Sequence, residues 1–450
     1  MINKQLTYFT LIGVHIALAI LVYTLPFLSI LYGLLIPIFG TYYVLKTQNR
    51  NNEVVLVAAY IVGSEVLLRM TGGNIGHEIA KYELIYFFIL GMFYTGVSKN
   101  AILFLFFMIL LLPGLFIGAN ALGYEVDVRK AILFNILGEV CLFFSALYCF
   151  QRKISLLQLE HLIKALALPI VSMIFYLFLY TPSIKDVVTG TQSNFETSGG
   201  FGPNQVSTIL GLGMFCFFVL FVLFSKTRMI QFTHLVLLIA ASYRGIITFS
   251  RGGVFTAIAM IVIFIVVLFW FANAKAKNLI VVLSVSVLIL SGLIWTYSVL
   301  QTGGLIENRY ANKDAKGREK EDKLGGREEI ATTELTMFLE NPVWGVGVGK
   351  NKEYREEMTG IVAASHNEIT RLLAEHGVFG ILAFLILLFT PLLFYFNNRE
   401  HIFLLSFYFF WLLTINHAAM RLAAPAFVYA LSLLKVSFID ENSLHRKPAV

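Results

Sequence analysis

The most distinctive polar segment of the chain is residues 250–253, with the sequence Ser-Arg-Gly-Gly, which joins the end of one apolar run to the start of the next. Ser250 is a typical helix N-cap residue, and Gly252 and its neighbour let backbone N–H groups approach a ligand closely. The start of a helix with such N–H groups is an anion site. Because Arg251 opposes the helix dipole there, a bound anion such as phosphate would explain its presence.

Arg244 lies two helical turns before Arg251 on the same face of the preceding apolar run. A charged side chain inside a membrane helix costs roughly 2.5–3.5 kcal/mol on insertion scales. The two arginines together predict an electropositive strip that leads into the bilayer. The alternative is that Arg251 lies at the membrane interface and that Arg244 forms a buried ion pair with Glu65 or Glu139.

A second polar segment, residues 365–368, has the sequence Ser-His-Asn-Glu and precedes another apolar run. Ser365 and Glu368 fit the S-x-x-E capping box, which places His366 at the first position of a helix. The positive end of the helix dipole disfavours imidazolium, so we expect a neutral histidine that can act as a general base. The alternative is a surface histidine beside a well-formed cap.

Other polar pairs predict less. Glu125 and Asp127 have the spacing of an acidic metal-binding motif, but such short carboxylate pairs are frequent by chance. The pair of His417 and Arg421, four residues apart, is interpreted as structural. Zinc-binding and nucleotide-binding motifs are absent from the sequence, so we predict no metal and no cofactor.

The composition defines the elements that must position these residues. Of the 450 residues, 58% are hydrophobic and 14% are charged, whereas soluble domains have about 25% charged residues. The long apolar runs do not alternate, which excludes a β-barrel, so we predict an all-α polytopic membrane protein. The predicted spans are residues 7–23, 27–45, 53–69, 83–97, 101–118, 131–150, 162–180, 205–224, 232–249, 254–271, 279–300, 371–395, 402–418 and 423–437.

The distribution of charge predicts the orientation and the organisation. With a cytoplasmic N-terminus, thirteen lysines and arginines lie inside and seven lie in the short outer loops, which places both termini in the cytoplasm. Residues 301–370 then form a large extracytoplasmic loop that holds 10 of the 34 basic and 13 of the 27 acidic residues, with an amphipathic helix before Asn341-Pro342. We predict a bundle of about eleven spans at 1–300, this loop, and about three spans with a short cytoplasmic tail at 371–450.

Taken together, the motifs resemble the bacterial O-antigen ligase and O-antigen polymerase superfamily. The resemblance covers about residues 200–385 and depends on the order and spacing of short motifs. These are Gly-Pro-Asn-Gln at 202–205, Ser-Arg-Gly at 250–252, Gly-Arg-Glu at 326–328, Asn-Pro at 341–342, Gly-Val-Gly-Val-Gly at 345–349, Ser-His-Asn-Glu at 365–368 and Glu-His-Gly-Val-Phe-Gly at 375–380.

The resemblance implies a glycosyltransferase of the GT-C type that uses polyprenyl-diphosphate-linked sugars at the outer face of the bacterial plasma membrane. By analogy with the family, Arg251 and Arg327 hold the donor diphosphate, with Arg318 as the rival of Arg327, and His366 is a base or a positioning group. Such proteins typically have about twelve spans, so fourteen is a departure. The remaining predicted substrate-binding residues are Asn204, Arg244, Ser250, Gly252, Asn367 and Glu368.

The chemistry implied is inverting and needs no metal, because two guanidiniums can bind a leaving diphosphate. Two enzyme readings stay open at this point. A polymerase would join lipid-linked repeats, whereas a ligase would move a glycan to lipid A core or to protein hydroxyls. The alternative to an enzyme is a lipid-linked oligosaccharide flippase or exporter, which would carry its charges through the membrane interior.

Overall fold

The computed structural model describes residues 2–320, 326–360 and 362–437, and the predicted cytoplasmic tail lies outside them. The first part contains α1 Ile2–Thr24, α2 Phe27–Thr47, α3 Glu53–Met70, α4 Ile79–Thr95, α5 Ile102–Ala121, α6 Val128–Cys149, β1 Lys153–Ser155, α7 Leu156–Tyr180, α8 Pro203–Val219, α9 Arg228–Ile247, α10 Arg251–Phe271 and α11 Ala274–Gln301. The second part contains α12 Leu305–Tyr310, α13 Arg327–Glu340, α14 Lys350–Thr359, α15 Glu368–His376, α16 Val378–Phe396, α17 Leu404–His417, α18 Ala424–Leu431 and β2 Lys435–Ser437.

The predicted all-α membrane architecture is confirmed. Among the described residues, ten helices are long and apolar enough to cross a membrane: α1, α2, α5 to α11 and α16. Helices also form where the third and fourth spans were predicted, although α3 carries more charge and α4 has only 17 residues. The helix α17 covers 14 residues of the predicted span 402–418.

Two of the predicted spans are wrong. Residues 371–395 are not one helix, because α15 ends at His376 and α16 starts after Gly377, whose φ is +60°. A Cβ at Gly377 would approach the Val343 carbonyl to 2.6 Å, so this corner requires glycine. Residues 423–437 form the eight-residue α18 and then β2, which pairs in parallel with β1. Non-helical backbone at membrane depth is tolerated when protein covers it, and residues 422–434 are buried.

Close helix packing positions the polar segments. Helix α8 packs against α9 and α10, and α10 packs against α17. A Cβ at Gly253 would overlap the Ser207 hydroxyl at 2.6 Å, so glycine lets the start of α10 lie directly on α8. Helices α8 and α10 begin at the same end of the bundle, and α9, α11 and α17 finish there. Because the segment 301–370 follows α11 at this end, we call it the loop end.

The loop segment folds onto this end. The amphipathic helix predicted before Asn341 is α13, which buries Ile330 and Met337. Helix α13 packs against α14 and α15. A buried ion pair of 2.6 Å between Arg355 on α14 and Glu334 on α13 joins two of these helices, and Glu334 also accepts a hydrogen bond from Thr370 on α15 at 2.6 Å. The loop segment is therefore an ordered layer over the bundle.

Candidate functional site

The start of α10 places Arg251 at the loop end of the bundle. Its Nη1 donates to Asn312 Oδ1 at 2.7 Å and to the Arg309 carbonyl at 3.4 Å. Ser250 is the N-cap residue, but its side chain makes no capping hydrogen bond. Its hydroxyl donates instead to Asn204 Oδ1 at 2.7 Å, so Ser250 occupies the predicted N-cap position but does not cap α10 through its side chain. Ser250 and Asn204 fix the start of α10 to the start of α8, which positions Arg251.

Arg309 is a site residue that the sequence analysis missed. Its Nε donates to the Phe249 carbonyl at 3.0 Å, two residues before Arg251. Burial, then the charges of Arg251 and Arg327, lower the pKa of the Arg309 guanidinium. The three arginines therefore lie close enough to repel one another. No local motif marks Arg309, which reaches the site only because α12 folds back onto the end of α9.

Arg327 is the first residue of α13 and follows Gly326, whose φ is +75°. Burial and then the charge of Arg251 lower the pKa of Arg327. Its guanidinium has no hydrogen bond or ion pair within the described residues. Arg318, the predicted rival, is 74% exposed and forms an ion pair of 2.7 Å with Asp314. The structure thus brings Arg327, and not Arg318, to Arg251.

The segment before α15 carries His366. The N-cap of α15 is Asn367, whose Oδ1 accepts from the Ile369 N–H at 2.9 Å, so the predicted Ser365 capping box is wrong. His366 lies before the cap and not on the first turn. Burial, followed by the charges of Arg421, Arg327 and Arg355, lowers the pKa of His366 to about 4. The expected neutral imidazole therefore results from burial and neighbouring cations and not from the helix dipole.

Arg421, just beyond α17, and Asn416, near the end of α17, contact the segment that carries His366. Arg421 Nη2 donates to the Ser365 carbonyl at 2.8 Å, and burial and then the charge of Arg327 lower the pKa of Arg421. Asn416 Oδ1 accepts from Asn367 Nδ2 at 3.3 Å. The spacing of four residues in the sequence predicts Arg421 only as a structural partner of His417. Its contact with residue 365 could not be read from the sequence because it joins segments 56 residues apart.

Glu368 belongs to a buried ionic cluster and not to an open site. Its carboxylate contacts Arg371 and accepts from the Met420 N–H at 3.1 Å. Arg371 also contacts Glu139 and forms an ion pair of 2.8 Å with Glu375. The geometry gives no support to the prediction of Glu368 as a substrate-binding residue, because protein groups occupy its carboxylate and only 2% of the residue is exposed.

Arg244 does not join the arginine cluster. Only 1% of the residue is exposed, and its guanidinium donates to the carbonyls of Leu177 at 2.8 Å and Thr197 at 3.1 Å. The predicted ion pair is also wrong, because Glu65 pairs with Arg69 and Glu139 contacts Arg371. Arg244 ties α9 to the end of α7, and the predicted electropositive strip is absent.

Two cavities open beside Arg421 and Ser365. The larger one, about 700 Å³, lies between α4 and α6 and combines apolar walls with the cations of Arg69, Arg129 and Arg421. The second, about 610 Å³, reaches Ser365 and lies against α14. Phe134 lines both cavities. They offer room for an amphipathic or sugar-like ligand beside Arg421 and Ser365.

The chemistry of the site follows from its charge. Within the described residues, Arg251, Arg309 and Arg327 have no carboxylate partner, whereas Arg355 pairs with Glu334 and Arg371 contacts three carboxylates. Unpaired guanidiniums held together indicate a multiply charged anion, because their fork geometry suits phosphate oxygens.

Asp127 caps α6 by accepting from the Lys130 N–H at 3.1 Å. No group of three or more His, Cys, Asp and Glu residues in the described part could hold a metal ion.

Comparison with known proteins identifies the family context. The family model described as O-antigen ligase matches residues 236–385. This match confirms the resemblance to the O-antigen ligase and polymerase superfamily and indicates a glycan-transferring enzyme of surface polysaccharide assembly in a multi-pass membrane protein. It includes Arg251, Arg309, Arg327 and His366 but ends before Arg421. A search of curated proteins finds no match.

Proposed function

We propose that the chain is an inverting glycosyltransferase that moves a glycan from a polyprenyl-diphosphate-linked donor to an acceptor hydroxyl. The observation that carries the proposal is the cluster of Arg251, Arg309 and Arg327, three guanidiniums without a carboxylate partner in the described residues. Keeping such charges together costs free energy unless an anion offsets the repulsion. A lipid diphosphate supplies that anion.

The donor diphosphate binds to the guanidiniums of Arg251 and Arg327, and Arg309 adds a third positive charge. Charge-assisted, bidentate hydrogen bonds orient the diphosphate. They also stabilise the negative charge that develops on the leaving oxygen as the sugar–phosphate bond breaks. In this proposal the guanidiniums supply the electrostatic stabilisation, and neither a metal nor a cofactor takes part in the transfer.

His366 acts on the acceptor. Neither ring nitrogen has a hydrogen-bond partner among the described residues, and the lowered pKa keeps the imidazole neutral at pH 7. The acceptor oxygen forms a bond to the anomeric carbon while its proton passes to His366. The carbon–oxygen bond to the diphosphate breaks, and the diphosphate leaves with the electron pair. Attack from the face opposite the diphosphate inverts the anomeric configuration.

The site is proposed to face the outside of the bacterial plasma membrane. The loop end carries the arginine cluster and the segment 301–370, and the excess of lysine and arginine at the opposite end supports cytoplasmic termini. The proposal includes a GT-C type of fold with three parts. These are a membrane bundle at 1–300, the large loop at 301–370 and the C-terminal spans with the tail at 371–450. The partners are the lipid-linked donor, membrane lipids and a hydroxyl acceptor, and nucleic acid is not among them.

Three acceptors fit the same chemistry. A second lipid-linked repeat makes the protein a polymerase, lipid A core makes it a ligase, and a protein hydroxyl makes it a protein O-oligosaccharyltransferase. The cavities of about 700 Å³ and 610 Å³, which reach Arg421 and Ser365, favour an acceptor site over a flippase or exporter path. A translocation path also needs free charges deeper in the bundle, whereas Arg244 donates to backbone carbonyls.

The test is to incubate purified protein with labelled polyprenyl-diphosphate oligosaccharide, with and without lipid A core, and to size the products. The Arg251→Ala variant is the control. A ladder from donor alone identifies a polymerase, and a single product that requires lipid A core identifies a ligase. Equal product from wild type and Arg251→Ala, or no product from either, contradicts the proposal.

A further inference from the structure

His417, the last residue of α17, lies against the start of α10. A Cβ at Gly252 would approach the imidazole Nε2 to 2.7 Å and Cγ to 2.5 Å. Glycine at position 252 therefore lets the imidazole lie directly on the backbone that follows Arg251. His417 is half-buried, and the family match ends before it.

The hydrogen bonds of His417 define its tautomer. Its Nδ1 lies 2.9 Å from the Leu413 carbonyl, which can only accept, so Nδ1 carries the proton and Nε2 keeps its lone pair. The nearest hydroxyl, of Thr208, lies 3.4 Å from Nε2 but donates its proton to the Asn204 carbonyl at 2.7 Å. The long contact with Thr208, whose proton is already donated to Asn204, is therefore the one hydrogen-bond contact of Nε2 among the described residues.

The surroundings of this lone pair place it at the proposed donor site. The charge of Arg327 acts on both His417 and His366. The neighbouring Asn416 accepts from Asn367 at 3.3 Å, which joins the end of α17 to the segment of His366. His417 lies against Gly252, next to Arg251 in sequence, whereas Arg421 contacts the carbonyl of Ser365, next to His366 in sequence.

We propose that Nε2 of His417 accepts a hydrogen bond from the sugar attached to the donor diphosphate, an inference that rests on the proposed function. Phosphate oxygens at neutral pH only accept hydrogen bonds, and a polyprenyl chain has no donor. The groups of the donor that can donate to Nε2 are the hydroxyl or acetamido N–H groups of the sugar nearest the diphosphate. His417 is thus a donor-binding residue that orients this sugar for attack.

Two substitutions separate this role from a structural one. His417→Asn keeps an N–H that can reach the Leu413 carbonyl but loses the acceptor at Nε2, whereas His417→Gln places an amide oxygen near the position of Nε2. We expect His417→Asn to raise the KM for labelled polyprenyl-diphosphate oligosaccharide by about 2- to 12-fold, the effect of one hydrogen bond. We expect His417→Gln to retain more of the wild-type KM.

Several results would overturn the proposed role of His417. If His417→Asn has the wild-type KM, or if His417→Gln is the more impaired variant, the residue acts through Leu413 and the inference is overturned. Equal losses in both variants with lowered thermal stability also overturn it. Arg251→Gln is measured alongside them: if it is fully active, the proposed function itself fails, whereas an inactive Arg251→Gln beside an unchanged His417→Asn refutes only the role of His417.

Discussion

Replacing Arg327 by glutamine should disable transfer and leave the fold intact. Its guanidinium is half-buried and makes no hydrogen bond or ion pair within the described residues, so its removal strands no partner. It also removes a positive charge that lowers the pKa values of Arg309 and Arg421. We therefore expect the free energy of unfolding to change by no more than about 0.5 kcal/mol.

The expected loss of activity follows from the bonds that Arg327 would make to the donor. A hydrogen bond to a charged group contributes about 1.5–3 kcal/mol. Because ~1.4 kcal/mol corresponds to a tenfold change in rate, losing one such bond should lower kcat/KM by about 10- to 150-fold. A bidentate contact to the diphosphate would lose more.

Arg318→Gln is the matched control. Arg318 lies in the same loop segment and carries the same charge, but it is exposed and paired with Asp314. Because solvent screens such an exposed pair, it contributes little, and this variant should keep its activity and stability. Both variants are assayed for kcat/KM with labelled lipid-linked oligosaccharide and for thermal unfolding in detergent. An Arg327→Gln variant as active as Arg318→Gln would refute the assignment, as would a loss of activity explained by unfolding.

Three further predictions concern His366 and its support. Burial and neighbouring cations lower the pKa of His366 to about 4. We therefore expect kcat/KM to stay constant from pH 8 to about 5 and to fall tenfold per pH unit below 4. A fall in kcat/KM that begins near pH 6.5 would contradict the account. Arg371→Met leaves the buried carboxylates of Glu139 and Glu375 without their cation, so the free energy of unfolding should fall by about 3–5 kcal/mol. An unchanged midpoint of thermal unfolding would show that the cluster does not support the fold. Asn367→Ala removes the cap of α15 and should cost about 0.5–2 kcal/mol, whereas a neutral result would reject Asn367 as the cap.

The sequence predicted the membrane architecture because bilayer thickness dictates the length of apolar runs. It did not predict the corner at Gly377, since residues on both sides continue an apolar helical pattern and only contact with Val343 requires the break. It also did not predict that residues after Leu431 leave the helix, because the pairing of β2 with β1 is a contact between distant segments.

The site was predicted in part. Arg251, Arg327 and His366 stand in short motifs, and the structure gathers them at the loop end. Arg309 and Arg421 carry no local signal, since each enters through a contact with a backbone carbonyl of another segment.

Neither Ser250 nor Ser365 makes a capping hydrogen bond to its helix, and the physical reason is competition between hydrogen-bond partners. The hydroxyl of Ser250 donates to Asn204 and does not cap α10. Arg371 takes the carboxylate of Glu368, and Asn367 supplies the cap that Ser365 was expected to form. Local patterns cannot rank such partners, because the competing groups arrive from other helices.

The most direct test of the central claim is the affinity of the purified protein for a polyprenyl-diphosphate oligosaccharide compared with the corresponding polyprenyl monophosphate. The account predicts that wild type prefers the diphosphate and that Arg251→Gln loses most of this preference. Equal affinity of the wild-type protein for both lipids, or an undiminished preference in Arg251→Gln, would contradict the claim that the unpaired arginine cluster holds the donor diphosphate.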